Sequence, residues 1–143
     1  MVISPGNRWE HFSHVADIGI RGYGASKAAA FEQAALAMLA IMVDPATVAP
    51  ASEVAICCEE PDDELLLVDW LNALLYEMAT RRVLFSEVQV EFTDHALRGT
   101  ARGEAVAPQK HVVGVEVKGA TYTELGVHQL ADGSWLAQCV VDV

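Results

Sequence analysis

The chemistry-bearing residues of this chain fall in four places. The first is His14-Val15-Ala16-Asp17, an imidazole and a carboxylate three residues apart. Such a pair can exchange protons or ligate a metal, although its commoner outcome is a hydrogen-bonded turn between strands. The second is Asp142-Val143, which follows the apolar run Cys139-Val140-Val141. A strand here would tie down this stretch of chain and place the Asp142 carboxylate beside the Val143 oxygens. If the strands also carry Asp17 there, the three make an oxygen-only cation site. The third is Lys118, ahead of Gly119-Ala120-Thr121-Tyr122. A cation beside a glycine bend can pair with carboxylates or touch a ligand, although an exposed strand lysine is more frequent. The fourth is Asp69, Asn72, Tyr76 and Thr80, whose spacing puts them on one side of a helix. A solvated helix side is the ordinary reading. Asn72 and Tyr76 among so many leucines also suit a half-buried, hydrogen-bonded face.

Much other chemistry is excluded. Gly22-Tyr23-Gly24 is no dinucleotide fingerprint, because Lys27 occupies the third glycine position, so a tight turn is expected there. No HExxH, CxxC or GxSxG pattern occurs. The three cysteines, Cys57, Cys58 and Cys139, are odd in number and two are adjacent, which predicts buried free thiols in a reducing compartment. Twenty acidic residues against nine basic ones give 143 residues a net charge of −11. That surface repels phosphate backbones, so strong direct nucleic-acid binding is not expected. It suits cations or a basic partner protein. The base-free cluster Glu53, Glu59, Glu60, Asp62, Asp63 and Glu64 reads as a solubilising edge and a helix cap. The ten-residue apolar run from Ala34 to Val43 is too short to span a bilayer. No charged-then-apolar leader opens the chain, so no membrane association and a cytoplasmic location are expected.

The elements that must position these residues follow from periodicity. Residues 1–8 read as a flexible tail and 9–143 as one domain. Strands are expected over Trp9–His14, Asp17–Gly24, Glu53–Glu59, Phe85–Phe92, Ala96–Ala105, Val112–Lys118, Thr121–Gln129 and Ser134–Val141. Ser26 caps a helix over Lys27–Val43, stopped by Asp44-Pro45 and buried on more than one side. Asp62 caps a second helix ending near Arg82, with an apolar stripe of Leu67, Trp70, Leu71, Leu74 and Met78. Strands grouped rather than alternating with helices predict an α+β fold: two helices packed on a mainly antiparallel sheet of seven or eight strands.

Five blocks of the chain together resemble the archease family. They are Trp9-Glu10-His11-Phe12-Ser13-His14-Val15-Ala16-Asp17-Ile18-Gly19-Ile20, Phe31 to Met38, Leu65 to Glu77 with Asp69-Trp70-Leu71-Asn72, Glu116 to Tyr122, and Trp135 to Val143. The resemblance implies a non-catalytic cofactor of the RtcB-type RNA ligase, which joins 3′-phosphate or cyclic-phosphate ends to 5′-hydroxyl ends in tRNA splicing and RNA repair. It implies a divalent-cation site at Asp17, Asp142 and Val143, with Ca²⁺ foremost and Mg²⁺ or Mn²⁺ as alternatives. It places a functionally needed lysine at Lys118, and we group His14 and Glu124 with it as candidates for activating the partner. Val15 departs from the usual threonine, Gly119 from alanine, and Thr123 from histidine. A chaperone-like protein-binding module is the alternative function.

Overall fold

In the computed structural model, which describes residues 6–94 and 96–143, eight strands form two antiparallel sheets with two helices between them. The strands are β1 (Arg8–His14), β2 (Asp17–Gly24), β3 (Ser52–Glu59), β4 (Val83–Thr93), β5 (Ala96–Ala105), β6 (Gly119–Ala120), β7 (Gly126–Gln129) and β8 (Trp135–Asp142). The helices are α1 (Lys27–Met42) and α2 (Asp63–Arg81). The first sheet runs β1-β2-β8, with β6 and β7 both on the far edge of β8; the second runs β3-β5-β4. The α+β expectation therefore holds, but with two sheets in place of one. Of the expected tail, residues 1–5 lie outside the described residues and Arg8 opens β1.

Both helices form where their caps demand. The Ser26 hydroxyl accepts the Ala29 N–H of α1, and the Asp62 carboxylate accepts the Glu64 and Leu65 N–H groups of α2, satisfying donors that a helix start leaves orphaned. Helix α1 is alanine-rich and buries Ala30, Phe31, Ala34, Ala35 and Met38 on several sides. The tight turn expected at Gly22-Tyr23-Gly24 does not form; both glycines lie within β2, whose bounds are those expected for this strand. A Cβ at Gly22 would collide with the backbone of α1 at Ala30 and Ala34, so the missing side chain is what lets the helix settle on the sheet. Trp70 seats α2 in turn. It is fully buried, donates its indole N–H to the Phe31 carbonyl at 3.2 Å, and lays its ring over Gly99 of β5.

The second half of the chain departs from the strand pattern. Val112–Lys118 forms no strand. Its backbone is tethered by Gly114 N–H to the Met42 carbonyl at 2.7 Å and Lys118 N–H to the Asp142 carbonyl at 2.8 Å. The slot beside β8 that it would need is filled by β6 and β7. The expected strand over Thr121–Gln129 survives only as β7. The β6–β8 and β7–β8 registers differ by three residues, so 121–125 bulges out, with Glu124 in the left-handed region at φ 56°. The cysteines also differ from expectation. Cys139 is buried and Cys58 half-buried, but Cys57 is exposed on the outer face of β3. Burial pushes the Cys58 thiol up to about 11, with the Asp69 charge adding to it, and pushes the Cys139 thiol up to about 12.

A clasp closes the loop after β5. Glu104 accepts the Ala49 N–H at 2.7 Å, the Lys110 ammonium at 2.7 Å and His111 Nε2 at 3.0 Å. His111 is 3% exposed and accepts the Ala107 N–H at Nδ1, which assigns its hydrogen to Nε2. Lys110 first, then the Ala49 amide and His111, hold the Glu104 carboxyl down at about 2. A carboxyl depressed in the folded state stabilises above its unfolded value and loses that contribution as pH falls. Urea unfolding followed from about pH 6 to about pH 2 should therefore show a steeper loss for the wild type than for Glu104→Gln between pH 4.5 and about 2. Parallel curves would contradict the clasp. Gly22→Ala should lower stability by about 3 kcal/mol, at the upper end for overpacking because helix backbone cannot yield, read as a fall in Tm of roughly 10 °C.

Candidate cation and partner site at the end of the first sheet

Strand register builds the site. On the face of the first sheet turned away from the helices, residues of β1, β2 and β8 stand in rows. The first row is Glu10–Arg21–Gln138. Arg21 donates to Glu10 at 3.2 Å and to Gln138 at 3.1 Å, and Tyr23 adds a hydrogen bond to Glu10 at 2.9 Å. The Tyr23 hydroxyl, then Arg21 and Arg8, hold the Glu10 carboxyl below its ordinary value, whereas burial and the same Glu10 contact push the Tyr23 phenol up. The second row is Phe12–Gly19–Val140, in which the Phe12 ring covers Gly19 and Arg21 stacks over that ring at 4.1 Å.

The third row holds the candidates. His14 pairs with Asp17 across the β1–β2 hairpin, and Gly119 pairs with Asp142 across β6–β8. The β2–β8 register runs to Ile18↔Val141, and one further step sets Asp17 opposite Asp142. Side chains directly opposed across antiparallel strands share a face with Cβ atoms about 5 Å apart. The Val143 N–H donates to Asp17 Oδ1 at 3.3 Å, which ties the end of β8 to the start of β2. Among the described residues no three His, Cys, Asp or Glu side chains already converge on one cation position. Further ligands to a cation held by these two carboxylates would be main-chain oxygens and water. The donor set is hard oxygen, which fits Ca²⁺, Mg²⁺ or Mn²⁺ rather than zinc.

The remaining predicted residues divide. Lys118 adjoins the row through its N–H bond to the Asp142 carbonyl, and its side chain is exposed. Glu124 lies instead in the 121–125 bulge, where its carbonyl accepts Gln138 Nε2 at 2.9 Å beside the first row. The helix face separates as well. Asp69 lies beside Glu60, and the proximity of the two carboxyl groups pushes the Glu60 carboxyl up. Asn72 turns to β6 and accepts the Ala120 N–H at 2.9 Å, and Tyr76 stands 65% exposed. The Glu10–Arg21–Tyr23–Gln138 network was not anticipated from the sequence, although the alternation of β1 and β2 carried its signal. A hollow of about 610 Å³ on the second sheet, lined by residues including Glu32, Gln89, Arg98 and Thr100, contains none of the candidates.

Comparison with known proteins gives a consistent picture. The model of the Archease protein family matches residues 9–143. The protein archease of Pyrococcus furiosus is 41% identical over 140 residues, covering 95% of this chain and 99% of that protein. The protein archease of Methanosarcina acetivorans is 37% identical over 145 residues, covering 98% and 99%. The solution structure of protein 1598 of Methanobacterium thermoautotrophicum superposes with a TM-score of 0.78 at 33% identity, covering 94% of this chain and 98% of that one.

The tip of the β1–β2 hairpin carries strain. Val15 is β-branched, 99% exposed and left-handed at φ 53°, a conformation that costs such a residue about 1 kcal/mol or more and here gains no packing. Val15→Gly should therefore raise stability by about 0.5 kcal/mol, the relieved strain less the entropy glycine adds to the unfolded chain, read as a higher urea midpoint with an unchanged m-value. A lower midpoint would contradict this reading of the turn.

Proposed function

This chain belongs to the archease family, and on that premise we propose that it is a non-catalytic accessory of an RtcB-type RNA ligase. In this reading it promotes guanylylation of the ligase and its repeated turnover during tRNA splicing or RNA repair. The observation that carries the reading is the row His14–Asp17–Asp142–Gly119, with Lys118 next to it. Asp17 and Asp142 would hold a divalent cation together with a main-chain oxygen of Val143, and the bound cation would supply positive charge between two like charges. Lys118, exposed and joined through its N–H to the Asp142 carbonyl, would offer an ammonium at the same end of the sheet, suited to a phosphate or carboxylate of the partner. The net charge of −11 steers the protein to a basic enzyme rather than to RNA itself. Its place of action would be the cytoplasm. No helix among the described residues is long and apolar enough to cross a membrane.

A second reading, a general chaperone-like binding module, draws on Val112, Val113 and Val115, which are 87%, 48% and 46% exposed. It predicts that Asp17 and Asp142 are dispensable. Multiple-turnover ligation of a cyclic-phosphate RNA by the cognate ligase separates the two. We expect stimulation by this protein, and a loss of roughly tenfold or more in Asp17→Ala and Asp142→Ala at unchanged fold by circular dichroism, in line with removal of a charged ligand. Absence of stimulation by the wild type would refute the ligase reading. Full stimulation by both variants would refute the cation site.

A further inference from the structure

Asn72 of α2 makes a contact at the edge of the candidate site that the function proposed above does not use. Strand β6 is only two residues long and lies at the sheet edge. On its inner side it is held to β8 by register, and on that side Lys118 N–H and Thr121 N–H bond to the Asp142 and Val140 carbonyls at 2.8 and 3.0 Å. The Ala120 N–H points the other way, where a further strand would lie, and Asn72 Oδ1 of α2 accepts it at 2.9 Å across 48 residues of chain. The same amide oxygen comes within 3.6 Å of where a Cβ on Gly119 would sit. Upstream of Lys118, residues 112–116 are all exposed and tethered by one backbone bond, at Gly114. Val117 is buried in the core, so Lys118 stands between that one core anchor and a two-residue strand. An asparagine is also a poor residue for mid-helix, so its place there has to be explained by a contact off the helix.

We propose that Asn72 is a positioning residue for Lys118: its side-chain amide replaces the missing neighbouring strand and fixes the edge that carries the lysine, whose N–H bonds the Asp142 carbonyl. Lys118 acting on an RNA ligase rests on the function proposed above; the anchoring does not. Asn72 is the device by which α2, anchored in the core by its own Trp70, Leu71 and Leu74, sets the geometry of the sheet edge. The contact needs only an acceptor, so aspartate can keep it and alanine cannot.

The test has two arms on the full chain. In the free protein, Asn72→Ala should speed hydrogen exchange of the Ala120 amide at least tenfold and lower the backbone order parameters of Lys118 and Gly119 from near 0.85 toward about 0.6. Asn72→Asp should leave both near wild type. With the ligase, Asn72→Ala should cut maximal stimulation roughly tenfold while the half-saturating concentration stays within about twofold, a split that marks lost positioning rather than lost binding. Asn72→Asp should restore it. Unchanged exchange and order in Asn72→Ala overturns the anchoring. Lost anchoring with full stimulation overturns the positioning role. A wild type that does not stimulate refutes the ligase reading and leaves the anchoring to be decided by the first arm.

Discussion

Everything at the candidate site depends on β8 being paired along both edges. A strand at the edge of a sheet has one free row of backbone groups; β8 has none to spare, with β2 on one side and β6 and β7 on the other. Antiparallel pairing has a period of two, so one register on each side decides which side chains share a face. The β2–β8 register aligns Arg21 with Gln138, Gly19 with Val140 and, one step on, Asp17 with Asp142. A slip of β8 by one residue would turn that strand over and send the Asp142 carboxylate to the helix side, away from Asp17. The Arg21 hydrogen bonds to Glu10 and Gln138 and the Phe12–Gly19 contact reward the observed register and no other.

The helices hold this sheet from behind. Gly22 admits the backbone of α1, Trp70 links α2 to α1 through the Phe31 carbonyl, and the Phe31 ring meets Phe92 of β4 edge-on at 5.0 Å. The two sheets therefore share one core. The acidic residues serve different ends within this frame. Asp62 caps α2, Glu32 caps an edge amide of β4 at Val90, and Glu104 fastens a loop. Asp17 and Asp142 differ from these in facing one another at the end of a sheet.

The sequence was most legible where local rules act alone. Ser26, Asp62 and the break at Asp44-Pro45 set the helix ends, and alternation marked β1 and β2. It was least legible from Val112 to Gln129, where alternation continues but the slot beside β8 is shared by two short strands and a bulge. Competition for one edge is a tertiary matter that no window of residues records. The split into two sheets was hidden for the same reason, since pairing partners lie far apart in the chain. Asp17, Asp142 and Lys118 were legible as candidates chiefly through the family resemblance, and their adjacency became visible only in the register. The helix face of Asp69, Asn72 and Tyr76 had the right spacing but no shared partner, because Asp69 meets Glu60 whereas Asn72 meets β6.

The picture is of a protein that would serve RNA chemistry without gripping RNA, presenting a small polar row at one end of a strongly acidic body. Its most direct test is where a divalent cation settles. Titration of Mn²⁺ into the isotope-labelled protein broadens amide resonances near the bound ion. The account predicts that Asp17, Ile18, Gly119 and Asp142 broaden first, and that Asp17→Ala abolishes this. Broadening that starts in the acidic cluster from Glu53 to Glu64, or spreads evenly over the acidic surface, would contradict it.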